Sequence, residues 1–209
     1  MLSKETIENN KLKFLDIFHT IQRDGMDMEF LERQLLYSDF FTAPASSKFH
    51  GSYEGGLCEH CLKVYDNLKR LVNEFGVECD ENTVKILGLF HDFSKLNFYK
   101  KSFQNKKIYS DGGSKHDNLG NFDWVSVPIY TVRDPEDRFV FGNHENTAAY
   151  MISSFIPLTT EEYCAIIHHH GGMGWDSSKE NLDDIYRQYP ICMYLHIADL
   201  IDAYTTANE

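Results

Sequence analysis

The last helical stretch of the chain, residues 190 to 205, puts Asp199 on one face with Cys192, Leu195 and Ala203. A carboxylate on an apolar helix face is costly to bury unless a cationic or hydrogen-bonding group meets it, so whatever packs there must bring such groups. Histidines repeat the pattern elsewhere. His60 shares a face with Leu57, Val64 and Leu68, His91 follows Val84 and Leu87 at helical steps, and His169 follows Ala165 and Ile166. A lone inward imidazole is ordinarily a satisfied core residue. Ten histidines in 209 residues, several of them inward together with Asp92 and Asp199, are better satisfied by cations on which several helices converge.

The rest of the chain suits one folded unit over residues 1–209, with 42% hydrophobic and 25% charged residues and no repeat or linker. Helical periodicity predicts helices over 5–22, 28–37, 57–75, 82–90, 145–155, 160–169 and 190–205. Residues 40–56 read as an ordered loop and 171–178 as a glycine-rich connection. Between 96 and 141 the period changes. Residues 124–130 alternate loosely, 134–137 read as a turn, and 138–141 are expected to pair back as a small hairpin. The expected fold is an all-α helical bundle with a β-hairpin insertion. It divides into an N-terminal helical extension (1–50), a metal-binding core (51–205), and a lysine-rich loop and β-hairpin within it (96–141). No apolar run nears the roughly 20 residues of a membrane span, and residues 1–10 lack the apolar segment of a secretory signal, so a cytoplasmic protein is expected.

The net charge of −12 argues against a protein that coats nucleic acid through a basic surface. Locally the balance reverses. Lys95, Lys100, Lys101, Lys106, Lys107 and Lys115 face a single acid, Asp111, a stretch of +5 interleaved with Phe98, Tyr99, Phe103 and Tyr109. Such a stretch can act as an anion funnel with stacking aromatics, or be a solvated loop. The five cysteines are odd in number and suggest free thiols. Cys58 and Cys61 have the spacing of a zinc knuckle but lack a second pair.

Taken in order, His60, the pair His91-Asp92, His144, the pair His169-His170 and Asp199 resemble the HD-domain metal-dependent phosphohydrolases, over about residues 50 to 205. The strings Gly55 to His60, His169 to Gly172 and Leu195 to Asp199 are similar to the HD domain of YhaM-type 3′–5′ exoribonucleases. Stand-alone bacterial and phage HD hydrolases also look similar. The resemblance implies a helical bundle holding one or two divalent transition metal ions (Mn, Fe, Co, Ni or Zn). It implies that His60, His91, Asp92 and Asp199 hold one ion, and that Asp92 bridges to another held by His144, His169 and His170. Since one helical turn cannot aim three successive side chains at one centre, His168 is read as a supporting or surface residue, and His196 as a supporting or core residue on the face of Asp199.

By the same resemblance Lys95 lies beside the metals, binding a phosphate oxygen or steering water, with Asp92 the other catalytic residue. Lys95, Lys100, Lys101, Lys106 and Lys107 would bind the substrate. The activity implied is hydrolysis by a metal-activated water of a phosphate ester in a small phosphorylated substrate, a nucleotide or short oligonucleotide, as a phosphohydrolase or phosphodiesterase. The alternatives are a non-catalytic nucleotide- or partner-binding module and a di-iron oxygenase. The chain departs from its likenesses in three places. Ser94 stands where relatives have Gly. The Gly-Tyr-Pro element of the cyclic-di-GMP branch is replaced by residues 171–175, and only about 50 residues precede the core, where the exoribonucleases carry a nucleic-acid-binding domain.

Overall fold

A computed structural model describes residues 2–171 and 182–205. Most of the glycine-rich connection, from Gly172 to Ser178, lies outside them, as does the rest of the string 172–175. The helices are α1 (Lys4–Phe18), α2 (Met28–Tyr37), α3 (Gly56–Phe75), α4 (Glu81–Phe90), α5 (His144–Ser153), α6 (Thr160–Ile167), α7 (Leu182–Gln188) and α8 (Pro190–Thr205). Their starts follow local chemistry. Ser3, Asp27, Asp80 and Asn143 each accept a backbone N–H of the first turn, and Thr159 with Glu162 forms a reciprocal capping box.

The long amphipathic α3 is the axis of the core, packed along α4 and α8, with α6 closing against α5 and α8. Leu57, Val64 and Leu68 of α3 meet Leu87 and Phe90 of α4 and Leu195 of α8 in one buried cluster. Phe14 and Phe18 of α1 join it through edge-to-face contacts with Phe90, and Phe14 also meets Phe40. Gly88 sets the α3–α4 spacing: a Cβ there would fall 2.5 Å from the Tyr65 Cα, so only glycine admits the approach. No helix among the described residues is long and apolar enough to cross a membrane.

The helical fold with a small β insertion is as expected, but the strands pair differently. Strand β3 (Gly120–Val132) contains the expected strand, yet its partner is the lysine-rich segment itself, β1 (Tyr99–Tyr109), in antiparallel register from Tyr99 opposite Val132 to Tyr109 opposite Phe122. A short β2 (Lys115–Asp117) adds to the other edge of β3, giving the order β1-β3-β2. Residues 138–141 form no strand, although the turn before them is present as a short 3-10 segment, Pro135–Asp137. The reason is burial: β1 is exposed along nearly its whole length, so no face of the ribbon selects alternating apolar residues. It is held by pairs such as the Lys107 ammonium 4.3 Å from the Phe122 ring centre.

Helix ends also moved: α1 ends at Phe18, short of residue 22, with Ile21 entering the core beyond it, α5 ends at Ser153 and α6 at Ile167; α7 was not expected, because it has no buried residue and left no apolar stripe to read.

A buried carboxylate ties the N-terminal segment to this bundle. Glu162 is fully buried, pairs with Arg23, accepts from the Thr83 hydroxyl at 2.7 Å and from the Thr159 N–H at 2.8 Å. Removing the cation alone would strand that charge. Arg23→Met should therefore lower stability by about 3 kcal/mol in urea unfolding, and adding Glu162→Gln should recover part of the loss. An unchanged midpoint for Arg23→Met would show that the pair carries no such weight.

Candidate metal centre

Four helix ends and two helix interiors deliver the functional side chains. His60 sits on the buried face of α3, His91 caps α4, and Asp92 follows it directly. The short 3-10 turn Phe93–Lys95 then folds back, so that the Lys95 ammonium donates to Asp92 Oδ2 at 2.5 Å. His144 opens α5, and Asp199 lies on the buried face of α8. The triple histidine comes after α6 has stopped, which frees it from helical spacing. His168 turns back to donate from Nδ1 to the Cys164 carbonyl at 2.8 Å, while His169 and His170 both reach the centre. Gly171 then turns with φ of +60°, and a Cβ on it would lie 2.8 Å from His196 Nε2. His196 itself donates from Nδ1 to the His169 carbonyl at 2.7 Å, bracing that ligand strand from beneath.

The Nε2 atoms of five imidazoles point at two carboxylates. His144 Nε2 is 2.6 Å and His169 Nε2 3.6 Å from Asp92 Oδ1; His60 Nε2 is 3.4 Å and His91 Nε2 3.7 Å from Asp92 Oδ2. His60 Nε2 is also 3.2 Å from Asp199 Oδ1, and His170 Nε2 is 3.8 Å from Asp199 Oδ2. In four of these rings Nδ1 is committed elsewhere. It donates to Asp202 at 2.6 Å from His60, to the Gly88 carbonyl at 3.2 Å from His91, to the Ile166 carbonyl at 2.6 Å from His169, and to Glu145 at 2.8 Å from His170. At His144 the Ser94 hydroxyl donates to Nδ1 at 2.5 Å while Nε2–H donates to Asp92.

This donor set fits a divalent transition ion on two observations. His60 and His91 bring their Nε2 atoms to 3.2 Å with both Nδ1 atoms engaged as donors, an approach that needs a proton or a cation between the lone pairs. His169 Nε2 is buried with no hydrogen-bond partner among the described residues. Imidazoles whose far nitrogens are held by carboxylates and carbonyls are the usual outer support of metal ligands. The residues fall into three groups whose donor atoms lie within 4.8 Å of one another: His60, His91 and Asp92; His144, His169 and His170; and His50, His60 and Asp199.

Electrostatics agree. Burial disfavours the Asp92 and Asp199 carboxylates, yet Lys95 and the histidines around Asp92, and His60 beside Asp199, hold both well below the usual carboxylate range. Burial opposes charge on His60 too, but Asp199, Asp202 and Asp92 outweigh it and hold its pKa well above the ordinary value. His169 is raised in the same way by Asp92 against burial. His91 is the opposite case, pushed down to about 3 by burial, and so presents a free lone pair at neutral pH. Cys58 and Cys61 are buried free thiols of α3, pushed up chiefly by burial, Cys58 to about 12.

The expected ligands His60, His91, Asp92, His144, His169, His170 and Asp199 and the expected catalytic Lys95 thus meet in one place. Lys100, Lys101, Lys106 and Lys107 do not; they lie on β1, where Lys100 pairs with Asp134, Lys101 with Glu54 and Lys107 with Asp117. Lys101 and Lys106 border a cleft of about 760 Å³ between the ribbon and the 47–54 loop, shared with Lys48, Tyr53 and Tyr130. Sequence reasoning missed Asp202, Glu145 and His50. Asp202 stands three residues after Asp199 on the same helix, a spacing that could have found it. His50 sits in an irregular loop with no periodicity.

A helical scaffold whose buried faces bring imidazoles and carboxylates to one point has the donor set that a metal ion requires. The HD domain family matches residues 57–207, and the chain belongs to that family, whose members are generally metal-dependent hydrolases acting on phosphate esters. No curated protein and no solved structure matches the chain.

Two outcomes follow from this geometry. Because the carboxylate neighbours of His60 and His169 favour the protonated rings against burial, whereas an ion needs them neutral, loading with Mn²⁺ or Co²⁺ should release protons. Titration calorimetry in buffers of different ionisation enthalpy reads that release; identical heats in all buffers would contradict it. Asp202→Asn removes the group that orients His60 and should weaken metal affinity about 10- to 100-fold, with His168→Ala close to wild type.

Proposed function

We propose that the protein is a phosphohydrolase or phosphodiesterase that cleaves a phosphate ester of a nucleotide or short oligonucleotide with the aid of one or two divalent transition metal ions. The observation that carries this reading is the convergence of five Nε2 atoms on Asp92 and Asp199 beside the largely enclosed Lys95. His60, His91, Asp92 and Asp199 would hold one ion, and Asp92, His144, His169 and His170 another. Ions so held supply Lewis acidity that activates a water and offsets phosphoryl charge.

The chain's own residues do the rest. Solvent reaches the cluster on the side of His144 and His170, whose side chains are 26% and 36% exposed, while His60, His91 and His169 are closed off. Substrate phosphate approaches there. Lys95, held in place by its contact to Asp92, offers a fixed positive charge to a phosphoryl oxygen, and Asp92 keeps that ammonium charged against burial. A small cavity of about 100 Å³ opens beside His144 and is lined by Ser94, Phe98, Arg138, Phe139 and Phe141, with Arg138 stacked 5.0 Å from the Phe98 ring. That wall suits the leaving portion of a nucleotide by stacking. Lys101 and Lys106, at the cleft of the ribbon, would take further phosphate charge, with Lys100 and Lys107 steering anions along β1. The free thiols match a cytoplasmic setting.

The test incubates Mn-loaded protein with nucleotides, cyclic nucleotides and short oligonucleotides and reads products by mass spectrometry. Release of phosphate or a monoester is expected, and Asp92→Ala should abolish it. Metal-loaded protein that turns over no phosphate ester would sink the proposal. Lys95→Met should reduce kcat about a hundredfold, as for loss of one preorganised charge in the transition state. Neutralising Lys101 and Lys106 together should instead raise KM and flatten the salt dependence of kcat/KM. Equal, small and salt-independent effects for both changes would remove the lysines from the site.

A further inference from the structure

His50 belongs to no element of the HD pattern and precedes its first histidine by ten residues. The 40–56 loop nonetheless aims it at the centre. Ser46 donates to the His50 carbonyl at 2.8 Å and accepts from the Phe49 N–H at 2.8 Å, the Ala45 N–H donates to the Gly51 carbonyl at 2.9 Å, and the Gly55 N–H donates to the Thr42 carbonyl at 3.0 Å. The loop is therefore a pinned structure rather than a free strap. It sets the His50 ring 4.8 Å from the His60 ring, tilted by 44°. One ring nitrogen of His50 lies within 4.8 Å of donor atoms of both His60 and Asp199. His50 Nε2 is buried and has no hydrogen-bond partner among the described residues.

A buried imidazole nitrogen without a partner ordinarily costs free energy on the order of 1–3 kcal/mol, and a ring whose polar atom is merely stacked does not recover it. A cation held jointly with His60 and Asp199 does. Water is a weaker answer, since a bridging water needs two or more polar partners and its neighbours here are already the groups that would ligate an ion. We infer that His50 is a metal-ligating residue of this chain, supplying an additional imidazole to a divalent transition ion held by His60 and Asp199. The inference rests on the metal centre proposed above and extends it through His60 and Asp199. It makes the loop that borders the 47–54 cleft part of the ion's coordination, so that the ion and the cleft are linked through one pinned segment.

The test titrates Co²⁺ into wild-type protein, His50→Asn and His60→Ala, following ligand-field absorption and calorimetric heats, with no substrate present. His50→Asn keeps a polar side chain of similar reach but is a poor ligand. It should weaken Co²⁺ binding at least about tenfold, the smallest loss ordinarily seen when even an outer partner of a ligand is removed, and should change the absorption spectrum. The unfolding temperature without added metal should stay at the wild-type value, and free imidazole should restore the spectrum in His50→Gly, which a structural role would not permit. Isotherms and spectra matching wild type would overturn the assignment of His50 alone. Wild-type protein that binds no Co²⁺ would overturn both this and the metal centre, whereas full binding without turnover of any phosphate ester would leave His50 a ligand and remove only the hydrolase proposal.

Discussion

The ionised carboxylate of Asp92 is the group around which the molecule is arranged. It is almost completely buried, a placement whose cost is prohibitive for an uncompensated charge, and its compensation comes from the whole bundle. Lys95 reaches it from the following turn, His91 from the preceding residue, His60 from α3, His144 from α5 and His169 from the end of α6. None of these partners can move far without stranding the charge. The close α3–α4 spacing allowed by Gly88 and the packing of α8 along α3 are therefore conditions for the site as well as for the core.

Preorganisation is built one layer further out. Asp202, Glu145 and the carbonyls of Gly88 and Ile166 each take one imidazole N–H, which fixes ring orientation and leaves the opposite nitrogen facing inward. The result is a largely buried cluster of imidazoles and carboxylates, where electrostatic interactions are stronger than in water. Membership of the HD domain family accords with this physical description, because a site of that kind is useful chiefly for holding cations that act on anionic substrates.

The insertion between α4 and α5 follows different physics. Its strand β1 is exposed along nearly its whole length, and the ribbon is held chiefly by backbone pairing, ion pairs and a lysine over aromatic rings. Such a ribbon contributes little to the core and is free to vary in charge. Lys100, Lys101 and Lys107 sit against carboxylates of the following turn, the 47–54 loop and the ribbon, and Lys101 and Lys106 border the cleft between ribbon and loop.

Sequence alone determined that helices dominate and that His60, His91, His169 and Asp199 face inward, because helical spacing converts a linear pattern directly into faces and a costly buried carboxylate demands partners, while Asp92, His144, His170 and Lys95 were joined to them by the family resemblance. It could not assign β1 as the partner of β3, since an exposed ribbon carries no alternating apolar signature, nor resolve the triple histidine, because the helix that would have set its geometry stops at Ile167. His50, Glu145 and Asp202 were decided by the tertiary structure. Asp202 lies one turn from Asp199, which marks its face of α8, but its partner His60 and the neighbours of Glu145 and His50 are brought near only by packing, and no local spacing rule encodes which faces meet.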